Sequence, residues 1–131
     1  MSAEEMIQLR VNSGVPIVDV LGEWEAAVLG ALTEMVNTLM DAGHYEIVVN
    51  VQRATTSGIA GLHSLARAAQ AVRLHCGHID VVGTAEQVDH LLRQQAEKLF
   101  RLATSEEVAI GRIKRTPVLS AGSRCTARPI T

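Results

Sequence analysis

Tyr45-Glu46-Ile47-Val48-Val49-Asn50-Val51-Gln52-Arg53-Ala54-Thr55-Thr56-Ser57-Gly58-Ile59 carries the pattern that decides the fold. Its first half is a continuous apolar, β-branched run, which suits a strand covered on both faces. Its second half is small and polar, and a helical pattern starts at Ile59. Apolar positions recur at Leu62, Leu65, Ala66, Ala69, Val72 and Cys76, with Arg67, Gln70 and Arg73 off that stripe. Gly77 closes the predicted helix, and Ile79 to Val82 reads as the next strand. Strand, hydroxyl-bearing loop, helix and strand make a βαβ unit.

Upstream, Met6 to Val11 and Val15 to Leu21 read as strands on either side of the turn Asn12-Ser13-Gly14. So short a turn predicts an antiparallel hairpin. After Gly22 comes a helix with Trp24, Val28, Ala31, Leu32, Met35 and Leu39 on one face. Glu23 and Glu25 fall in its expected first turn, where the helix dipole favours acids, and Gly43 ends it. Downstream, Thr84 and Gln87 have capping-box spacing and open a third helix, with Val88, Leu91 and Leu92 as its buried side. Leu99 to Leu102 reads as a short final strand. Thr104 or Ser105 then caps a last helix whose apolar residues are Val108 and Ile110, and Thr104 with Glu107 again has capping-box spacing.

The order β-β-α-β-α-β-α-(β)-α predicts an α/β fold. Its sheet is mainly parallel with four to five strands, an antiparallel first hairpin and helices packed on it. Residues 1–114 form the predicted domain. Residues 115–131 form a tail, whose Pro117, Gly122 and Pro129 interrupt any periodicity.

A chain of 131 residues is one domain on the usual size prior and can bury a core without staples. Trp24, Tyr45 and Phe100 are its only aromatics, so single-stranded nucleic-acid binding by base stacking is not expected. The net charge is −2, but Lys114, Arg115, Arg124 and Arg128 lie after Ile113 with no acid. The remaining body holds eight basic residues against fourteen acidic ones. No apolar run approaches the roughly 20 residues that span a bilayer, so no membrane segment is expected. No signal peptide is visible, and two distant cysteines make no framework; Cys76 and Cys125 are expected as reduced thiols in a cytosol.

His75, Cys76 and His78 cluster, but no CxxC or HxxxH accompanies them, so no metal site is expected. Cys76 lies on the apolar stripe and is read as a small core residue; His75 and His78 are read as surface side chains. His44, His63 and His90 are isolated. Glu4-Glu5 and Glu106-Glu107 fit solvated or dipole-favoured roles rather than acid–base catalysis. One glycine without a following lysine excludes a P-loop, and nothing calls for a cofactor.

The hydroxyls of the loop can cap a helix, hold an anion or accept a phosphoryl group. Thr56 or Ser57 can cap the helix through its side-chain oxygen. Either can also be phosphorylated, since a helix N-terminus tolerates the added charge.

The whole order of elements resembles a STAS domain, the fold of bacterial anti-sigma factor antagonists. Thr55-Thr56-Ser57-Gly58-Ile59 stands where that family carries an Asp-Ser-Ser-Gly-Leu type motif, whose first Ser is the phosphoacceptor. Gly22, Val81-Val82-Gly83, and Leu99-Phe100 leading to Thr104-Ser105-Glu106-Glu107-Val108 match in order and spacing. Thr55 replaces the motif's Asp, the loop before the motif is shorter, and Gln52-Arg53-Ala54 replaces its apolar approach. The resemblance covers roughly Met6 to Lys114.

The resemblance implies a cytoplasmic bacterial regulator that binds rather than catalyses. Its implied partner is an anti-sigma factor that is also a serine/threonine kinase-like protein, and Thr56 is the implied phosphoacceptor with Ser57 as the cap or second candidate. The implied contact surface is Arg53, Thr55, Thr56, Ser57, Ile59, His63 and Arg67. Two alternatives stay open: a STAS scaffold that is never phosphorylated, and a small α/β ligand-binding domain or enzyme using the strand-end crevice beside Asn50, Thr55 and Thr56. The apolar hairpin edge offers a surface for a homodimer.

Overall fold

In the computed structural model the described residues are 7–23, 26–55, 59–93, 98 and 100–115. The first hairpin is β1 (Ile7–Asn12) and β2 (Val15–Val20), antiparallel with Ile7 opposite Val20 and Asn12 opposite Val15. Only Ser13 and Gly14 form the turn, and both have positive φ, 55° and 82°. Two left-handed residues give the turn that matches strand twist, so Asn12 joins the strand instead of the turn.

The chain continues through β3 (Gly22–Glu23), α1 (Ala26–Asp41), β4 (Glu46–Asn50), β5 (Ala54–Thr55) and α2 (Ile59–Leu74). It ends with β6 (His78–Val82), α3 (Ala85–Arg93), β7 (Arg101–Ala103) and α4 (Glu106–Arg115). The main sheet has the order β1-β2-β4-β6-β7. Every pairing in it except the hairpin is parallel. The α/β expectation holds, with five strands. An extra parallel ribbon pairs Gly22 with Ala54 and Glu23 with Thr55. Gly22 has φ 71°, which turns the chain out of the main sheet and into that ribbon. Glu23 therefore belongs to a strand and not to the first turn of α1, which holds no acid. Trp24 and Glu25 lie outside the described residues, as does the tail, 116–131.

Strand alternation sorts the core into two layers. One face sends Val18, Val20, Ile47, Val49, Val51, Ile79 and Val81 against Leu32, Val36, Leu39 and Met40 of α1 and Leu65, Ala68, Ala69 and Val72 of α2. The other sends Val15, Ile17, Val48, Val82 and Ala103 against Ala109, Ile110 and Ile113 of α4. Ile17, Ile47, Val48 and Val49 have no exposed surface at all. Burying each such side chain stabilises by roughly 1.5–3 kcal/mol.

A single helix cannot cover five strands, so α4 lies along an apolar diagonal between two polar corners. At one corner sit Asp19 and Asn50; at the other sit Glu46, His78, Asp80 and Arg101. His78 is not a free surface residue, because its Nδ1 lies 3.1 Å from Glu46 Oε1. Asp80 is fully buried against Arg101, at 2.7 Å, with Arg112 at 4.0 Å. Burial still dominates and raises the Asp80 carboxyl above its ordinary value, with Arg101 and Arg112 pulling it back.

The helix ends correct several expectations. Gly43, φ 90°, closes α1: its amide donates to Met40 O and the His44 amide donates to Leu39 O. At the end of α2 the same motif places Cys76, not Gly77, in the left-handed position at φ 64°. Gly77 is needed for a different reason, because a Cβ there would lie 2.0 Å from Tyr45 O. Cys76 is half-buried beyond the helix and disulfide-bonded, so it is neither a stripe residue of the core nor a reduced thiol. His75 is exposed and stacks on Tyr45, with ring centroids 6.0 Å apart.

The Thr84–Gln87 capping box forms in both directions, at 2.7 and 3.2 Å. The Thr104–Glu107 box does not. Ser105 caps α4 by accepting from the Val108 amide at 3.2 Å. Leu92 and Val108 are 47% and 44% exposed rather than buried. On α4 it is Ala109, Ile110 and Ile113 that face the sheet, which turns Val108 outward. The last strand starts at Arg101, and Leu99 lies outside the described residues. Among the described residues no helix is long and apolar enough to cross a membrane.

Candidate partner-binding site

The loop after β4 is built from its base upward. Asn50, 7% exposed, ends β4, and its side-chain oxygen accepts from the Gln52 amide at 2.9 Å. This local turn breaks the strand in the way short amide side chains commonly do. The Gln52 side chain donates to Thr104 O at 3.1 Å, and the Gly22 amide donates to Arg53 O at 3.4 Å. Gln87 closes the base from above. While its Oε1 caps α3, its Nε2 donates to Val51 O at 2.8 Å and Ala54 O at 3.3 Å. Every residue from Val51 to Ala54 is therefore held by a named backbone or side-chain bond.

Beneath the loop lies an ionic cluster. Arg10 on β1 bonds Asp19 through Nε and Nη2, and Glu106 through Nη1 at 2.9 Å and through Nη2. Asn12 donates to Glu106 at 3.3 Å and Asn50 donates to it at 2.5 Å. Glu106 stands in the first turn of α4, where the dipole adds to its stabilisation. The Arg10 guanidinium holds the Glu106 carboxyl below its ordinary value, and the Asn50 and Asn12 amides add to the effect against partial burial. The two carboxylates in turn push the Arg10 guanidinium further up. Of this cluster the sequence singled out only Asn50 and Glu106, the latter for a solvated or dipole-favoured role; its place in the first turn of α4 fits the dipole, and its bonds to Arg10, Asn12 and Asn50 were not expected. The alternation of Arg10 with apolar neighbours in β1, opposite Asp19 in β2, was the available signal.

The candidate residues fall into three groups. Arg53 and Arg67 are exposed. Thr55 ends β5 and Ile59 and His63 lie in the first part of α2, so the backbone brings these three to one end of the sheet. Thr56 and Ser57 lie outside the described residues. Asn50 has both ends of its amide engaged, in the loop turn and in the ion cluster, so it serves the fold. Among the described residues no group of three His, Cys, Asp or Glu side chains is arranged to hold a metal.

No protein-family model matches the chain, and no curated protein matches it in sequence. Solved structures do match it. An anti-sigma factor antagonist from Mycobacterium paratuberculosis superposes with a TM-score of 0.70 at 19% identity, over 82% of this chain and 92% of that one. A candidate anti-sigma factor antagonist of Thermotoga maritima gives 0.72 at 13% identity, over 86% and 98%. The anti-sigma factor antagonist SpoIIAA in its unphosphorylated form gives 0.65 at 16% identity, over 83% and 98%. The Bacillus cell fate determinant SpoIIAA in its phosphorylated form gives 0.62 at 16% identity, over 82% and 98%. The five-stranded mixed sheet, the antiparallel first hairpin and the four helices are thus those of the anti-sigma factor antagonists, and the chain has the STAS fold.

Proposed function

We propose that this chain is a binding regulator of the anti-sigma factor antagonist type, acting on a serine/threonine kinase-like anti-sigma factor rather than catalysing a reaction. The observation that carries the proposal is the braced loop. Bonds from Asn50, Gly22 and Gln87 fix the backbone up to Ala54, and α2 begins at Ile59. In this reading the contact region is Arg53, Thr55, Thr56, Ser57, Ile59, His63 and Arg67, and the braced backbone on its loop side, up to Ala54, lowers the entropy lost on binding. Support for the type comes from the fold, and SpoIIAA, which shares it, has both unphosphorylated and phosphorylated forms.

In this reading Thr56 accepts the phosphoryl group and Ser57 caps α2. A phosphate at the head of α2 meets the favourable end of the helix dipole, so the domain stays folded. The same dianion in a close interface must shed its water, which opposes rebinding. The reading places the protein in the cytoplasm with the transcription machinery.

The scaffold reading has one feature in its favour, Thr55 in place of the motif's acidic residue. Intact mass after incubation with the organism's kinase-like anti-sigma factor and ATP separates the two. A gain of one phosphate, mapped to Thr56 and lost in Thr56→Ala, supports the switch. An unchanged mass with a stable complex supports the scaffold.

A further inference from the structure

The arginines whose side chains are described divide into two groups. Arg10 pairs with Asp19 and Glu106, Arg93 with Asp89, and Arg101 with Asp80 and Glu46, while Arg112 faces Asp80. Arg53, Arg67 and Arg73 meet no carboxylate among the described residues; Arg73 donates only to the backbone oxygen of Lys98. All three are exposed, and all three lie on the loop and α2.

The helix itself contains no acid from Ile59 to Leu74. Helical spacing aligns Arg67, Gln70 and Leu74 on the side away from Leu65, Ala68, Ala69 and Val72, with Arg73 at the flank of that face, one turn beyond Ala69. Leu74 is 77% exposed, the most exposed large apolar side chain among the described residues. The stripe is therefore unneutralised positive charge ending on an apolar contact, on a chain whose overall charge is −2. The other described arginines, Arg10, Arg93, Arg101 and Arg112, each face a carboxylate. The charge left over is the field a partner meets.

We propose that this loop–α2 face docks a carboxylate-rich protein surface that offers an apolar recess to Leu74. The inference rests on the partner-binding reading above and names the chemistry of the partner. A protein fits better than a nucleic acid, because α2 carries no aromatic platform and three arginines make a small phosphate footprint. The stripe also gives the phospho-switch its sign. A dianion added before α2 cancels positive charge on this face and repels the partner's carboxylates.

The test is a backbone-amide NMR titration of the full chain with a poly-glutamate peptide and, separately, an oligothymidine of equal charge. The peptide is expected to shift amides of Arg53 and residues 60–74, with the shifts lost on going from about 50 mM to about 500 mM salt. The double variant Arg67→Glu, Arg73→Glu should abolish them while leaving the rest of the spectrum in place. Shifts spread over the whole domain, shifts retained by the variant, or stronger shifts with the oligonucleotide overturn the proposal. A second arm measures the kinase-like anti-sigma factor, whose affinity should fall about tenfold or more in the variant. Equal affinity for variant and wild type overturns the stripe and leaves the function standing. An anti-sigma factor that ignores the wild type, beside a positive peptide titration, overturns the function and leaves the stripe standing.

Discussion

Asn50 ties Glu106 to the candidate site: its amide nitrogen donates to Glu106 Oε2 at 2.5 Å, and its oxygen accepts from the Gln52 amide at 2.9 Å. One buried side chain thus joins the N-terminus of α4 to Gln52 of the loop. Glu106→Gln keeps the shape and removes the charge that Arg10, Asn12 and Asn50 share, at a cost of about 2 kcal/mol. The pH dependence has a definite sign. The Glu106 carboxyl is held below its ordinary 4.5, so its stabilisation is present above that pH and is lost as pH falls through the lowered value. Urea midpoints measured from pH 7 downward should fall more steeply below pH 4.5 in wild type than in Glu106→Gln. Parallel curves would contradict this.

Gln87 has two jobs that a substitution can separate. Gln87→Glu keeps the oxygen that caps α3 but loses the donor to Val51 O and Ala54 O. Amide exchange should then quicken by about tenfold at residues 52–55, corresponding to about 1.4 kcal/mol, and stay unchanged in α3. Gln87→Ala should loosen both. Equal exchange in the two variants would show that the loop does not depend on this clamp.

Two glycines should respond in opposite directions to alanine. At Gly77 the new Cβ would lie 2.0 Å from Tyr45 O and 2.7 Å from Val72 Cγ1, so the β4–β6 junction must shift. Gly77→Ala should lose about 3 kcal/mol. Gly30 sits in α1 with open space for 4 Å around where a Cβ would stand, so Gly30→Ala should gain about 0.5–1 kcal/mol through helix propensity. Thermal melts of the two variants check both signs.

The edge strand β1 exposes Leu9 and Val11, at 46% and 68%, on one face of an edge that pairs with no further strand among the described residues. If this edge forms the homodimer, light scattering should give a concentration-dependent dimer for wild type and a monomer for Val11→Lys. A wild type that stays monomeric at millimolar concentration removes the dimer.

The fold was legible because its strands are clean. Ile47 to Val49 is a run no helix face would need, Ile79, Val81 and Val82 bracket a single acid, and Leu65, Ala69 and Val72 of the expected α2 stripe are buried, with Ala68 in the place expected of Ala66. What escaped the sequence was set by tertiary contact. Gly77 looked like a helix stop, but the crowding against Tyr45 O fixes it, and Cys76 takes the strained turn. Val108 looked like core because apolarity says nothing of how far α4 rolls on the sheet. The ion cluster of Arg10, Asp19 and Glu106 joins residues as far as 96 positions apart in sequence, beyond any local pattern. The loop's place between a strand and a helix was readable; its bracing by Gln87 was not.

The central claim is that the loop before α2 binds a kinase-like anti-sigma factor and that charge at Thr56 releases it. Calorimetric titration of that partner into wild type and Thr56→Glu tests it most directly, with folding of the variant checked by its melt. The account predicts measurable binding by wild type and a loss of about tenfold or more in Thr56→Glu. Equal affinity for the two proteins would contradict it.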